Sequence, residues 1–403
     1  MSLGSRFYRQ KGRVTMDENE LMGSMKVSKA VAKMAIPSVI SSLVTVVYNM
    51  ADTFFVGQTG DPLQVAAVSL TNPIFILFMA FANMFGMGGS AAASMALGEK
   101  KEKRVKQVSS FITYASLIVG IVFAAILLVG MQPVLQLFGA DADTYELAKG
   151  YTTYISYGAP FIIWSAAASF VVRADGASRE AMTGSMIGTV ANIILDPIFI
   201  SGFGMGAAGA AIATTIGNIM ASVYYLWYFC RKSRNMSMAF RYFKCGDRIL
   251  SQVCSAGLPT AIFSALMSIS TIILNQILVA YGNAPVAAIG IVFKANMFIT
   301  FLQMGLANGV QPLMGYNFGA GNQKRFMEVD CFTKKCCLVV GILATALFFF
   351  FREPIIHLFI NDKDVIYYGV KMLVAYMVSG PFIGILFVNM NCMQSTGDAL
   401  PAT

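Results

Sequence analysis

Two carboxylates lie deep inside long apolar segments of the sequence, Asp52 in YNMADTFFVG and Asp196 in NIILDPIFI. Ionisable side chains are rare in such segments and usually serve a function there. Asn192 lies four residues before Asp196, on the same side of a helix. Counting from the ends of the predicted segments puts Thr214 and Tyr151 at a similar depth. We therefore expect these five side chains to form one site.

Paired carboxylates surrounded by amide and hydroxyl oxygens suit a reversible cation site. Such a pair can hold a proton in a low dielectric, or it can bind Na⁺ through oxygen ligands. Pro197 lacks an N–H and so frees the carbonyl oxygen of Ile193, which offers a further ligand or a bend. Pro37 is a second kink candidate. Two structural alternatives stay open: Asp196 as a polar cap at a helix break, and Thr214 and Tyr151 as packing residues.

The composition places these residues in a membrane protein. Of the 403 residues, 57% are hydrophobic and only 12% are charged, and the mean hydropathy is +0.66. In lipid, only helices and closed barrels satisfy their own backbone, and barrel strands alternate apolar and polar residues. This sequence does not alternate, so we predict an all-α integral membrane protein with the bilayer as its surroundings. Ten spans are predicted, at 34–57, 64–97, 108–132, 146–171, 181–203, 207–230, 254–281, 286–318, 330–351 and 366–393.

The loops between the spans predict the orientation. Basic loops such as LGEKKEKRVK alternate with short or acidic loops such as GADADTYE. Basic loops stay in the cytoplasm, so the N-terminus is expected there too. The net charge of +9 is mostly this bias. Because the basic residues are spread over several loops, we expect no nucleic-acid partner.

The chain also repeats itself. Adding 222 to Pro37 gives Pro259, and adding 221 to Gly98 gives Gly319. Duplication of this kind marks many transporters. The unit has six spans, but residue 182 is the last one with a counterpart, so the second copy contains four. We therefore expect a truncated sequence with 10 of 12 spans, and Met1 or Met16 as its start. The expected domains are a cytoplasmic segment (1–33), an N-lobe (34–230), a cytoplasmic linker (231–253) and a C-lobe (254–403).

Other polar residues in the spans are weaker candidates. Lys294 either extends its amine to the interface or lines a cavity in the second half, where Asn275 and Gln276 are the other candidates for substrate contact. The motifs DDxxD, HExxH and GxSxG do not occur in the sequence, so we expect no enzyme and no cofactor.

Four segments of the sequence resemble the multidrug and toxic compound extrusion (MATE) family, in its bacterial DinF-like and MepA-like branch. They are YNMADTFFVGQTGD, NIILDPIFISGFGMGAAGAAIAT, FGMGGSAAASMALGEKK and NGVQPLMGYNFGAGNQKR. The resemblance implies two six-helix bundles around a cleft, and antiport of amphipathic, mostly cationic drugs against H⁺ or Na⁺ in the bacterial inner membrane. It also implies cation binding by Asp52, Asn192, Asp196, Thr214 and Tyr151. We expect a monomer that works by alternating access.

The sequence departs from some relatives in its second half. The seventh and tenth spans lack the acids that those relatives carry, so coupling would belong to the first half alone. A lipid-linked saccharide flippase of the same superfamily is the alternative function. Such a flippase would tend to have a strongly cationic cavity, for which Lys294 is the one clear candidate.

Overall fold

The fold is that of a helical bundle, seen here in a computed structural model. The structure describes residues 20–58, 61–244, 246, 248–357, 360 and 362–397, and these residues contain no β-strand. The principal helices are α1 (Val27–Gly57), α2 (Pro62–Gly98), α3 (Glu102–Val129), α4 (Tyr145–Ala174), α5 (Ser178–Pro197), α6 (Gly206–Arg231), α7 (Ile249–Val279), α8 (Asn283–Gly319), α9 (Gln323–Phe350), α10 (Lys363–Met377) and α11 (Gly380–Thr396). Short helices span Met131–Leu137, Phe240–Tyr242 and Arg352–His357, and a π-helical turn spans Ile198–Gly202.

Helices α1 to α9 are each long and apolar enough to cross a membrane. In the described part of the chain, one further segment is long and apolar enough to cross a membrane, namely α10 and α11 taken together as a bent pair. The chain is therefore an all-α, multi-pass membrane protein, and its described residues form nine helices that could span a membrane, or ten if the bent pair is one span.

Several predicted span boundaries were wrong. Helix α1 begins at Val27, not at 34, because Ala30 and Val31 already pack in a buried cluster although lysines flank them. Helix α9 begins at Gln323, not at 330, and the side chain of Asn322 caps it by accepting a hydrogen bond from the backbone N–H of Arg325. Charge density marks where a helix leaves the lipid, whereas caps and packing decide where it begins.

Two predicted spans are interrupted. The third, 108–132, ends as a helix at Val129, and a separate short helix starts at Met131 after Gly130. The tenth, 366–393, is not one helix, because α10 and α11 meet at an angle of 45°. Pro381 occupies the first turn of α11, where its missing N–H is tolerated. Pro37, in contrast, lies inside an uninterrupted α1.

The helix bounds repeat along the chain. Helix α7 has the same length as α1 and begins 222 residues later, while α8 and α9 match α2 and α3 in length and begin 221 residues later. The linker between α6 and α7 is shorter than predicted, since α7 already begins at Ile249 and not at 254. The molecule thus has two similar halves, α1–α6 and α7–α11.

The two halves share their core at one end only. This end, which we call the basic end, is where α1, α3, α5, α7 and α9 begin, and its charged residues include Lys26, Lys103, Arg179 and Lys324. Here one buried cluster joins Met34 to Val310, and another joins Val108 to Val253. At the opposite end, the clusters around Ile155 and around Ile299 each belong to a single half. The halves are therefore closed against each other at the basic end and packed separately at the other.

Backbones of α2 and α8 lie against each other at this closure. A β-carbon on Gly98 would lie 2.0 Å from the carbonyl oxygen of Tyr316, and one on Gly319 would lie 2.1 Å from the carbonyl oxygen of Met95. Gly98 and Gly319 are repeat counterparts, as are Met95 and Tyr316, so the contact is reciprocal. Only glycine fits at such a distance, because real β-carbons do not approach backbone atoms so closely.

We predict that Gly319→Ala destabilises the protein, because the added methyl group forces α2 and α8 apart. Overpacking of this kind costs about 1–3 kcal/mol. The midpoint of thermal unfolding in detergent should fall. The control is Gly290→Ala on the same helix, where a β-carbon meets nothing within 4 Å. An equal effect of the two substitutions on the midpoint would refute the role of the close contact.

Candidate functional site

Asp196 is the most deeply buried carboxylate of the site, with 0% of its surface exposed. It lies in the last turn of α5, and the π-helical turn Ile198–Gly202 follows directly after Pro197. Pro197 has no N–H to donate to the carbonyl oxygen of Ile193, which explains why the regular helix ends here. Single π-helical turns are frequent at functional sites.

Asn192 and Thr214 supply the polar neighbours of Asp196. The amide of Asn192 satisfies its neighbours when Nδ2 donates to Asp196 Oδ2 at 3.0 Å and Oδ1 accepts from the Thr214 backbone N–H at 2.9 Å and hydroxyl at 3.2 Å. Asn192 and Thr214 are both buried. The predicted pairing of Asn192 with Asp196 is therefore present, and the amide links α5 to α6.

A close crossing of α5 and α6 positions this link. A β-carbon on Gly217 would lie 2.6 Å from the carbonyl oxygen of Gly188 and 3.3 Å from the β-carbon of Asn192. Gly188 lies one turn before Asn192, and Gly217 one turn after Thr214. The two helices can therefore approach closely enough for the short side chains of Asn192 and Thr214 to meet.

Helix α1 brings the second carboxylate. Asp52 is half-buried and lies close enough to Asp196 for their charges to interact. Tyr48, one turn before Asp52, has its hydroxyl 3.4 Å from Thr214 Oγ1. Sequence reasoning missed Tyr48, although its spacing of four residues from Asp52 places both on one face of α1.

Tyr151 on α4 completes the group. Its hydroxyl lies close enough to both carboxylates for electrostatic interaction, and its ring packs beside Val56 and Ile200. Asn218 extends the network on α6, because its Nδ2 donates to the carbonyl oxygen of Thr214 at 2.9 Å and its Oδ1 accepts from Ser165 at 2.9 Å. The spacing of four residues between Thr214 and Asn218 could have indicated this second missed residue.

The site can bind a proton or a small hard cation. Buried carboxylates must be paired with a cation or neutralised. Among the described residues, no lysine or arginine forms an ion pair with Asp52 or Asp196. The described residues also hold no group of three or more His, Cys, Asp or Glu that suits a transition metal. The carboxylate, amide and hydroxyl oxygens instead match the ligands that hard cations prefer.

The weaker candidates do not join this site. Lys294 and Gln276 are both exposed, on α8 and α7. The side chain of Asn275 lies outside the described part of the structure.

Comparison with known proteins identifies the family. The MatE family model matches the chain twice, at residues 37–198 and 259–403, in the same two halves that the helix bounds define. The chain belongs to the MATE family. Members of this family are transporters and not enzymes.

Curated relatives support the assignment along nearly the whole chain. The multidrug export protein MepA of Staphylococcus saprophyticus is 33% identical over 379 residues, which cover 94% of this chain and 83% of MepA. MepA of Staphylococcus aureus is 32% identical over 377 residues, with the same coverage. The sequence therefore places this MATE protein in the MepA-like branch.

Solved structures show the same fold. A crystal structure of a MATE protein in complex with MaD3S gives a TM-score of 0.90 at 24% identity, covering 96% of this chain and 86% of that one. An outward-facing multidrug resistance MATE transporter gives 0.86 at 24% identity, covering 95% and 85%. The two-bundle architecture is thus that of known MATE proteins.

The second half of this MATE protein contains a network of buried amides on α8 and α11. Gln311 Nε2 donates to Gln394 Oε1 at 3.1 Å, and Gln394 Nε2 donates to Thr260 Oγ1 at 2.8 Å. Asn391 Nδ2 donates to Asn308 Oδ1 at 3.0 Å. The sequence alone did not predict these hydrogen bonds, which depend on how α7, α8 and α11 pack together. These neutral groups link three helices without needing a counter-ion.

We predict that Thr214→Val destabilises the protein, because it leaves the Asn192 amide without the hydroxyl that it bonds. Losing a partner of a buried polar group costs about 1–3 kcal/mol. The midpoint of thermal unfolding should fall, and Thr214→Ser should restore it.

The matched control is the neighbouring residue on α6. Thr215 donates its hydroxyl to the carbonyl oxygen of Tyr154 on α4, outside the site. We expect Thr215→Val to lower the midpoint less than Thr214→Val does. The reverse order would contradict the role given to Thr214.

Proposed function

We propose that this protein exports small amphipathic organic molecules, mostly cations, in exchange for H⁺ or Na⁺. The observation that carries the proposal is that Asp52 and Asp196 lie close enough for their charges to interact, within apolar helices and without a basic partner among the described residues. Two negative charges in such surroundings need a mobile positive ion to neutralise them. The proposed coupling site is therefore Asp52, Asn192, Asp196, Thr214 and Tyr151, to which Tyr48 is added from the structure.

Export of drugs is supported by the relatives. The MepA proteins that share about a third of their residues with this chain are named multidrug export proteins. Lipid-linked saccharide transport, the alternative, would rest on Lys294 alone, and its side chain is exposed. We therefore favour drug export.

The orientation follows from the charges. Basic ends of membrane helices face the cytoplasm, so the basic end and the N-terminus are assigned to the cytoplasmic side of a bacterial inner membrane. Because the halves are closed at the basic end and packed separately at the other, we assign this structure to an outward-facing state. We further propose that one chain is the transporting unit, with α1–α6 as the N-lobe and α7–α11 as the C-lobe.

The proposed cycle is alternating access. A proton or Na⁺ enters from the open end and neutralises Asp52 and Asp196, which abolishes their attraction for an organic cation. Pro37 precedes Tyr48 and Asp52 on α1, so a bend there would move both residues. It would also change the contact between the halves that continues beyond Pro37, where a β-carbon on Gly305 of α8 would lie 2.8 Å from the α-carbon of Val39. On this proposal, Asn192 and Thr214 stay fixed by the α5–α6 crossing and hold Asp196 in place.

We predict that Asp52→Asn and Asp196→Asn each abolish drug-stimulated H⁺ or Na⁺ flux in reconstituted vesicles. Asparagine keeps the shape of the side chain but has no negative charge with which to bind a proton or Na⁺. Flux should be measured with several dyes under a proton gradient and, separately, under a sodium gradient. Asp141→Asn serves as the control, since Asp141 lies in a loop and its carboxylate binds Thr144. Undiminished antiport in both variants would rule out this site.

A further inference from the structure

The linker between the halves is bound to the N-lobe along α3. Ser110 donates its hydroxyl to the carbonyl oxygen of Ala239 at 3.1 Å, and Tyr114 donates to that of Met238 at 3.0 Å. The ring of Phe243 stacks on Phe111 with centroids 6.3 Å apart. The segment that precedes α7, the first helix of the C-lobe, is therefore held by the N-lobe.

A buried carboxylate fixes the beginning of the same linker. Asp175, at the end of α4, accepts hydrogen bonds from Ser233 at 2.7 Å and from Asn235 at 3.0 Å. Met236 is buried in the cluster that joins Val108 to Val253. The linker thus contacts the N-lobe over about ten residues and is part of that lobe's surface.

The repeat places a matching surface on α9 of the C-lobe. The counterparts of Ser110, Phe111 and Tyr114 are Cys331, Phe332 and Lys335, each 221 residues later. All three line a cavity of about 560 Å³ at the basic end, together with Lys324 and Val27. The face that the linker covers on α3 is therefore a groove on α9.

The N-terminal segment approaches this groove as the linker approaches α3. Leu21, the counterpart of Phe243, is 3% exposed and packs in the same cluster as Phe332. The carbonyl oxygen of Met22 accepts hydrogen bonds from Asn317 at 3.0 Å and from Arg325 at 3.2 Å. The chain before α1 is therefore held by the C-lobe, at the edge of the groove.

We propose that residues 14–19, which lie outside the described part of the chain, occupy the α9 groove. They are the counterparts of linker residues 236–241, which run along α3. Their charge fits the groove, because the segment carries Asp17 and Glu18 while Lys324 and Lys335 stand on the groove wall. Glu328 lies on the same wall and leaves it with a net positive charge. Val14 and Met16 make the segment partly apolar, as Phe332 and Met327 make the groove.

The consequence is a pair of crossed straps. The strap before α1 binds the C-lobe, and the strap before α7 binds the N-lobe. Each strap therefore ties its own helix to the opposite half at the basic end, which Leu21 and Met22 already do on the C-lobe. The proposed docking is inferred from the sequence repeat and from the groove, and it does not depend on the proposed function.

A cross-link tests the docking directly, without a transport assay. Asp17 is the counterpart of Ala239, and Ala239 is bonded by Ser110, the counterpart of Cys331. Asp17→Cys is therefore made in a protein in which Cys331 is the one remaining native cysteine. Membranes are treated with a short bis-maleimide, and the product is mapped by mass spectrometry. We expect residue 17 to be linked to Cys331, which is exposed and able to react.

Two controls define the result. The double variant Ala239→Cys and Ser110→Cys, in a protein free of other cysteines, gives the cross-linking yield for the docked linker. The yield for residue 17 with Cys331 should approach this value. Asp17→Cys with Cys331→Ser should give no product. The proposal would be overturned if the Ala239–Ser110 control pair were cross-linked and the pair of residue 17 and Cys331 were not. It would also be overturned if a photoactivatable anionic lipid, and not the N-terminal segment, labelled the peptide that contains Cys331.

Charge reversal tests what the groove recognises. Lys324→Glu together with Lys335→Glu should lower the Asp17–Cys331 yield severalfold, because the wall then repels Glu18 and Glu20. Adding Glu18→Lys and Glu20→Lys should restore the yield. A yield that ignores both changes would overturn docking by charge.

Discussion

A carboxylate that must be buried determines the geometry of the N-lobe. Asp196 is fully enclosed, so its partners have to come from the protein. One partner, Asn192, lies one turn away on the same helix, and it in turn needs Thr214 of α6. Because these side chains are short, the backbones must come close, and Gly188 and Gly217 permit this. The crossing of α5 and α6 is therefore tied to the carboxylate, and a change at either glycine acts on the site.

The two halves have similar helices but bury different polar side chains. The bounds of the first three helices of each half repeat almost residue for residue, so their lengths and order do not depend on the polar residues inside. The N-lobe buries acids, which need a cation, whereas the C-lobe buries the amides of Gln311, Gln394 and Asn391. Gln311 donates to Gln394, and Asn391 donates to Asn308. Amides do not change charge when a proton or Na⁺ arrives. In the proposed cycle, the C-lobe therefore keeps its internal packing while the charge state of the N-lobe changes.

The sequence predicted the class of fold and the identity of the buried acids, because apolar length and an isolated charge are local signals. It did not predict helix starts such as Val27. The residues between the lysines there, Ala30 and Val31, pack in a core that is formed only in the folded bundle. It missed Tyr48 because contacts between helices depend on their crossing and rotation. The bend between Met377 and Gly380 also escaped, although Pro381 marks it, because a proline inside α1 leaves that helix uninterrupted.

Binding of the linker to the N-lobe also limits where the two lobes can pivot. From Ser233 to Phe243 the linker is bonded or stacked against the N-lobe, and from Ile249 the chain belongs to α7 of the C-lobe. A relative rotation of the lobes must therefore be taken up in the few residues between them. Arg248 lies there with φ of 61°, a left-handed conformation that costs a non-glycine residue about 1 kcal/mol. The chain thus turns sharply just before α7, close to the last linker residue that stacks on the N-lobe.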